Sequence, residues 1–364
     1  MKKIIVSVIN DLVTDQRVHK VCSSLQQAGY DVTLVGRKFR TSPPVDREYK
    51  TIRMRLFFNR SAIFYAEYNI RLFILLLFKK TDLLLSNDTD TLPANYLISV
   101  LKRKPLLFDA HEMFREMPEV LGRKAQKVWI KIEDQIFPRL KYSYTVCQSI
   151  ADEYENLYGM KMGVVRNIPR AERRNKGKVP IKKDHRKVIL YQGAVNVGRG
   201  IEWVIEAMPF LDNFVFYVVG DGDILNELKE KVDNKGLNDR IFFTGRIPFE
   251  ELSAYTACAD IGVNLLENRG LNYYYSLPNR IFDFMRSNIP VLASDFPEVR
   301  RIFQDYQIGV LTDNYEPQSL ADKIRQLAEQ GIDEEEFARA NADLTWENET
   351  KTLLSIVRQA EGKP

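Results

Sequence analysis

The chain has 364 residues, 53 Lys+Arg against 49 Asp+Glu, and a formal net charge of +4. A balance this near neutrality argues against a general nucleic-acid binder, and 45% hydrophobic with 28% charged residues describes a globular chain able to fill sizeable cores. Those numbers exclude disorder, collagen and coiled coil, and at roughly 150 residues per domain the length suggests two domains.

The first residues, MKKIIVSVIND, do not read as a signal peptide, because the short apolar run meets Asn10 and Asp11 at once. Lys3 to Ile9 predicts a β-branched strand. Arg17 to Gln27 has apolar residues at helical spacing, with Gly29 as its stop. Asp31 to Val35 is the next strand. Ile63 to Phe78 is a long apolar helix whose apolar residues run nearly all round, which favours burial against a sheet. Its longest purely apolar run, Leu72 to Phe78, has seven residues, against roughly 20 needed to cross a bilayer. Asp82 to Leu85 is a strand, Leu92 to Leu101 a helix, and Pro105 to Phe108 and Tyr142 to Val146 are strands. Strand-helix alternation of this kind implies a parallel sheet covered on both faces.

From Lys161 to Lys187 there are eleven Lys/Arg against two acids, with Pro169, Gly177 and Pro180, the composition of an exposed linker. The alternation then restarts. Strands are predicted at Val188 to Tyr191, Val215 to Val219, Ile241 to Phe243, Ile261 to Leu265 and Val291 to Ala293. Helices are predicted at Glu202 to Met208, Ile224 to Lys231, Phe249 to Ala257, Ile281 to Arg286 and Leu320 to Glu329. The expected fold class is α/β, two Rossmann-like domains with parallel sheets facing across a cleft. The expected boundaries are 1–165, a basic linker 166–187, a second domain 188–344, and a closing segment 345–364. Ligands of open parallel sheets bind beyond the carboxyl ends of the strands, so the site should be built from strand-to-helix loops.

The chemistry-bearing residues sit in such loops. YQGAVNVGRGIE ends a strand at Gly193 and carries Gly198, Arg199 and Gly200 before a helix. Glycines let backbone approach a phosphate, and Arg199 adds a fixed charge with bidentate geometry. VVGDGD places Gly220 and Gly222 after a strand, and FFTGR places Thr244 and Gly245 in a turn whose backbone suits a nucleobase edge. In YYYSLPNRIFDFM, Ser276 takes a capping position, Pro278 the first turn, and the amides of Leu277, Asn279 and Arg280 point out as a diphosphate site. Asp283, one turn in, can accept from ribose hydroxyls. In the first half, Asp109, His111 and Glu112 follow a strand end, and a histidine beside two carboxylates suits sugar hydroxyls and proton sharing. Asn87 and Asp88 in SNDTDTLP, and Asn10 and Asp11 after the first strand, are further cleft candidates.

These segments, with TDQRVHKVCSSLQQAGYDVTLVGR, LLFDAHE and the terminal TWENETKTLL, resemble in order and spacing the group 1 (family 4-like) glycosyltransferases of the GT-B fold. The resemblance implies a nucleotide-sugar donor, retention of anomeric configuration, no metal and no cofactor, with UDP or GDP left open. It places Arg199 on the donor diphosphate, Asp283 on the ribose, and His111 at the reaction centre as the catalytic candidate. It implies a glycan or lipid-linked acceptor in bacterial surface polysaccharide synthesis, and a closing helix that crosses back to the first domain. Three features depart from the family pattern. Tyr275 stands where a carboxylate precedes Asp283, Ala194 where an Arg follows the phosphate-loop glycine, and Asn10 and Asp11 replace a glycine-rich loop. A nucleotide-sugar epimerase of the same fold and a non-catalytic sugar-nucleotide-binding protein are the alternatives.

The cysteines, Cys22, Cys147 and Cys258, form no C-x-x-C pair and fit a reducing compartment. The expected location is cytoplasmic. Arg37 to Arg60 holds eight Lys/Arg against two acids, so peripheral contact with the inner face of an anionic membrane is also expected.

Overall fold

Runs of Val, Ile and Leu recur along the chain, and each forms a strand parallel to its neighbours. The computed structural model describes residues 1–13, 15–117, 120–170, 181 and 185–362. Contacts divide them into two units, Met1–Asn167 with Glu347–Pro364, and Ile168–Trp346.

Unit 1 contains β1 (Lys3–Asp11), α1 (Gln16–Gln27), β2 (Asp31–Arg37), β3 (Lys50–Met54), α2 (Ser61–Phe78), β4 (Leu83–Asn87) and α3 (Asp88–Lys102). It continues with β5 (Leu106–Ala110), α4 (Lys124–Ile136), β6 (Tyr142–Thr145), α5 (Gln148–Tyr158) and β7 (Gly163–Val164). The sheet runs β3-β2-β1-β4-β5-β6-β7 with parallel pairing. Strand order reverses between β1 and β4, which opens a crevice at their carboxyl ends. Asp15 caps α1 by accepting from the Val18 amide at 3.0 Å, and Gly29 at φ +91° lets the chain leave the helix.

Unit 2 contains β8 (Lys187–Gln192), α6 (Ile201–Ala207), β9 (Phe214–Val219), α7 (Leu225–Asn234), β10 (Ile241–Gly245), α8 (Phe249–Thr256), β11 (Ile261–Asn264) and α9 (Leu271–Tyr274). It continues with α10 (Asn279–Arg286), β12 (Val291–Ser294), α11 (Pro297–Asp305), β13 (Gly309–Thr312), α12 (Pro317–Gln330) and α13 (Glu334–Asp343). Its sheet runs β10-β9-β8-β11-β12-β13, again parallel, with the reversal between β8 and β11. A last helix, α14 (Trp346–Ala360), packs from Glu347 onward in unit 1, where Glu349 pairs with Arg166 at 2.7 Å.

Several elements were not predicted from apolar runs. β3 reads KTIRM, an edge strand with no fully buried residue, and α4 and α5 carry narrow apolar stripes in polar sequence. The expected linker lies partly outside the described residues, at 171–180 and 182–184. The flanking Ile168 and Ile181 are buried in the unit 2 core.

The expectation that α2 is buried all round is corrected. Only Phe64, Tyr68, Leu72 and Leu76 are buried, with the Tyr68 hydroxyl donating to the Val8 carbonyl at 2.6 Å. Ile63, Ile70, Ile74 and Phe78 are 51–81% exposed. A helix lying on one sheet face buries one stripe, and α3 covers only one flank. By length and composition α2 is also apolar enough to cross a membrane.

Backbone proximity in unit 2 generates a stability prediction. Gly220 sits at φ +150°, and an added Cβ would lie 1.8 Å from the Gly193 carbonyl oxygen. Gly220→Ala should cost roughly 2–4 kcal/mol from strain and overpacking. Gly236→Ala, also at positive φ but with open space around it, should cost only about 1 kcal/mol. Urea unfolding of the two variants measures the difference, and equal losses would contradict the close approach.

Candidate active site

In unit 1 the candidate residues gather at the carboxyl ends of β4 and β5. Asp109 is wholly buried there, a position a carboxylate tolerates only with partners. Arg17, in the first turn of α1, supplies them through Nη2 at 2.8 Å and Nε at 3.3 Å, and its Nη1 donates to the Val165 carbonyl at 2.8 Å. Asp109 also accepts from His111 Nε2 at 3.0 Å. The other ring nitrogen, Nδ1, lies 3.3 Å from Asp88 Oδ2, and the His111 amide donates to Asp88 Oδ1 at 2.7 Å. Asp88 holds this pose with φ +57°, an uncommon conformation for a non-glycine residue.

The electrostatics follow from that clamp. Burial pulls the His111 imidazolium down, but Asp88 and Asp109 outweigh it and raise the pKa to about 9. Burial pushes the Asp109 carboxyl up, and Arg17 and His111 more than offset it, holding it at about 2. Asp88 is pushed up to about 7 by burial, with Glu112 and Asp109 adding to the rise and His111 opposing it. His111 is therefore a cation at neutral pH with both ring nitrogens engaged.

The other unit 1 candidates divide. Asn87 is buried and donates from Nδ2 to the Ser7 carbonyl at 2.9 Å, stitching β1 to β4. Glu112 is exposed and reaches the cluster through its effect on Asp88. Asn10 is exposed and donates to Asp15 at 3.0 Å. Asp11 accepts from Arg53 Nη2 at 2.7 Å and from the Ser42 hydroxyl, which ties it to the loop beyond β2.

In unit 2 the loops after β8, β9 and β10 are laced together by backbone. The Gly193 amide donates to Val219, Val195 to Asp221, and Gly220 to Gly245. Thr244 donates from its hydroxyl to the Gly245 carbonyl at 2.9 Å. An added Cβ on Gly222 would lie 2.3 Å from Val195 O and from Asn196 Oδ1, so that loop admits no side chain. Arg199 lays its guanidinium on the Tyr273 ring, 4.9 Å from the centroid, and its Nε is buried without a partner. Arg280 is buried, stacks on Tyr191 at 4.3 Å, and leaves Nη1 unpartnered. Its Nη2 would sit 3.4 Å from a Cβ added to Gly193.

Asp283 accepts from Gln192 Nε2 at 3.0 Å, and Gln192 accepts from the buried Thr256 hydroxyl at 2.8 Å. Leu277 is half-buried just before α10, and Asn279 opens that helix with no side chain capping it. Ser276 is a correction. Pro278, not Ser276, occupies the cap position, and the Ser276 hydroxyl donates to Tyr273 O at 2.7 Å, closing the turn after α9.

Sequence reasoning assigned no role to Arg17, Gln192, Thr256, Tyr191, Tyr273 and Asn264. Asn264 ends β11 wholly buried, with neither amide atom partnered. A Gln directly before the loop glycine of a strand end was the one available signal among them.

A family described as "Glycosyl transferases group 1" matches residues 186–330, and one described as "Glycosyltransferase Family 4" matches residues 15–171. The chain is 26% identical over 148 residues to an alpha-D-kanosaminyltransferase of Streptomyces kanamyceticus, covering 40% of this chain and 37% of that one. It is 31% identical over 134 residues to an alpha-monoglucosyldiacylglycerol synthase of Streptococcus pneumoniae, covering 35% and 29%. The matches thus span about a third of these relatives' lengths. Among solved structures, a sucrose-phosphate synthase from Thermosynechococcus elongatus superposes with a TM-score of 0.79 at 17% identity over 99% of both chains. Anabaena HepE with UDP and glucose gives 0.73 at 14%, over 99% and 100%. WaaG, a glycosyltransferase involved in lipopolysaccharide biosynthesis, gives 0.65 at 13%, over 98% of both. At those identities the likeness is one of fold, GT-B.

The unit 1 clamp predicts a pH dependence. The folded pKa of His111, about 9, lies above its ordinary 6.5, so its contribution to stability is complete below pH 6.5 and lost as pH rises through 9. Asp88, raised to about 7, acts in the same direction at lower pH. Asp109, depressed to about 2, keeps its contribution until pH falls toward that value. The stability gap between parent and His111→Asn, from urea unfolding, should narrow as pH goes from 6.5 to 9.5. An NMR titration of the His111 ring should find its midpoint near 9 in the parent and well below that in Asp88→Asn.

Proposed function

The chain belongs to the group 1, family 4-like glycosyltransferases of the GT-B fold, and from that premise we propose that it moves a sugar from a nucleotide-sugar donor to a glycan or lipid-linked acceptor. The transfer retains anomeric configuration and needs no metal. The observation that carries this reading is the excess of unpaired donors at the unit 2 switch point. Arg199 and Arg280 make no ion pair among the described residues; Arg199 rises from the loop that follows β8 onto Tyr273, and the Arg280 guanidinium lies beside Gly193 at the start of that loop. The uncapped start of α10 adds amides of the same polarity. A diphosphate satisfies all of them. As the sugar departs, negative charge grows on that diphosphate, and donors fixed in advance stabilise it without reorganising.

Arg280 offsets one departure from the family pattern. Ala194 cannot supply the charge that usually follows the loop glycine, and the Arg280 guanidinium sits beside that glycine instead. Asp283, held by Gln192, faces the ribose hydroxyls. His111, with both nitrogens occupied, acts as a fixed cation that positions the donor sugar and its departing charge rather than as a base.

A panel of UDP-, GDP- and ADP-sugars with release of nucleoside diphosphate as readout tests the activity. Slow donor hydrolysis fits a transferase, sugar interconversion an epimerase, and neither a binding protein. Arg199→Ala and Asp283→Ala should each weaken nucleoside diphosphate binding by about tenfold or more, from loss of roughly 1.5–3 kcal/mol of charge-assisted hydrogen bonding. His111→Ala should lower turnover by orders of magnitude with that affinity nearly unchanged. Calorimetry showing both unit 2 variants binding like the parent overturns the donor site.

The acceptor side points to lipid and to surface polysaccharide synthesis in bacteria. The outward face of α2 joins Phe57, Leu97, Val100 and Leu101 as exposed apolar residues, and exposed Arg55, Arg60, Lys79, Lys80 and Arg103 border them. Cations rimming apolar surface match an anionic bilayer, each contributing about 1 kcal/mol. Arg53, in the basic stretch expected to touch lipid, is instead spent on Asp11. The names of two comparison proteins agree, one citing a diacylglycerol product and one lipopolysaccharide. Co-sedimentation should show binding to vesicles with anionic lipid, weakened by salt and by Arg55→Glu with Arg60→Glu, and little binding to neutral vesicles. Equal pelleting with both kinds of vesicle, or none, contradicts the docking.

A further inference from the structure

Arg37 ends β2 at the same strand edge as the His111 cluster. Its guanidinium lies 4.1 Å from the centroid of Phe39 and 4.8 Å from that of Phe64, so two rings fix its direction. It makes no hydrogen bond or ion pair among the described residues, and its Nε is buried without an acceptor. Half-buried arginines are ordinarily matched by a carboxylate, because desolvated guanidinium donors are costly to leave unmade.

Two acids, Asp11 and Asp90, act on it through the field, and neither pairs with it among the described residues. Asp11, its register partner on β1, gives its carboxylate to Arg53 and Ser42. Asp90, buried in the first turn of α3, has its carboxyl pushed well up by burial, and it makes no ion pair with Arg37 among the described residues. Arg37 is thus an oriented cation with no carboxylate in direct contact, at the ligand edge of the sheet.

We propose that Arg37 is an anion subsite of unit 1 that takes a phosphoryl group of the acceptor. The assignment rests on the glycosyltransferase reading for the word acceptor, while the anion site itself does not. The planar fork matches a phosphoryl group bidentately. Phe64, one wall of the subsite, belongs to α2, whose opposite face is the exposed apolar surface. A phosphate seated on Arg37 therefore lies one helix thickness from that surface, which fits a lipid-linked phosphate. A soluble sugar phosphate carries the same group.

The test reads the arginine directly. The full chain in an Arg199→Ala background, which removes the donor-side competitor, is treated with phenylglyoxal, and modification of each arginine is followed by peptide mass. Inorganic phosphate should slow modification of Arg37 by roughly fivefold or more, as expected for a charge-assisted bidentate contact, and leave Arg53 unmoved. Dodecyl phosphate protecting at lower concentration than inorganic phosphate assigns a lipid-linked source, and equal protection assigns a soluble one. No protection of Arg37 by either anion overturns the subsite. In the unaltered donor-site background, Arg37→Ala should keep nucleoside diphosphate affinity and donor hydrolysis within twofold of the parent. A parallel loss of both places Arg37 in the donor machinery and overturns the assignment, whereas absence of any donor hydrolysis in the parent would count against the transferase reading alone.

Discussion

Asp109 is the constraint on which unit 1 depends. A carboxylate with no solvent exposure at the end of a central strand must be neutralised from more than one direction. Arg17 reaches it from α1 and ties the same guanidinium to Val165 beyond β7, so one charge joins the sheet centre to its far edge. His111 completes the shell from the loop after β5. Removing Arg17 would leave a buried charge with one partner, a loss on the order of 3–5 kcal/mol for pairs of this kind. The orientation of His111 is then a consequence of fold stability, because the group that aims the ring is one the core cannot do without.

The two units handle charge in opposite ways. In unit 1 the switch point is internally balanced, with Arg17 and His111 set against Asp109 and Asp88. In unit 2 the corresponding edge pairs Arg269 with Glu267 beside Gly198 but leaves Arg199 and Arg280 without an ion pair among the described residues, and Asp283 accepts from the neutral amide of Gln192. A balanced cluster orients a group without attracting a charged ligand. An unbalanced one draws an anion and is stabilised by it. Arg37 breaks the pattern in unit 1, as a cation outside the balanced clamp that makes no ion pair among the described residues.

Much of this was legible in the sequence because parallel strands are buried on both faces and announce themselves as apolar runs. The loops at their carboxyl ends follow from topology, and on them Arg199, Asp283 and His111 stood out as candidates by residue type, with Arg280 singled out for its amide rather than its guanidinium. What was not legible depends on long-range pairing. Arg17 looks like one more basic residue of an amphipathic helix until β5 brings Asp109 beneath it, 92 positions away. Ser276 looks like a cap because Ser before Pro usually is one, yet the short helix α9 claims its hydroxyl first. Arg53 was counted as a surface charge, and the edge strand β3 delivers it to Asp11 instead.

The apolar periodicity of α2 misled for a related reason. Hydrophobicity all round a helix ordinarily means burial all round, because exposed apolar surface is unfavourable in water. Here the inner stripe, Phe64, Tyr68, Leu72 and Leu76, is already sufficient to seat the helix on its sheet. Folding of unit 1 therefore does not require Ile63, Ile70, Ile74 or Phe78, and polar residues there would seat the helix equally well while improving solubility. Retained apolar side chains on a face that folding leaves open need a cause outside the folded unit. The same helix supplies Phe64 to the wall beside Arg37, so a surface that prefers hydrocarbon and a cation with no carboxylate in contact share one element. An amphiphile bearing a phosphoryl group is the ligand chemistry that satisfies both ends at once.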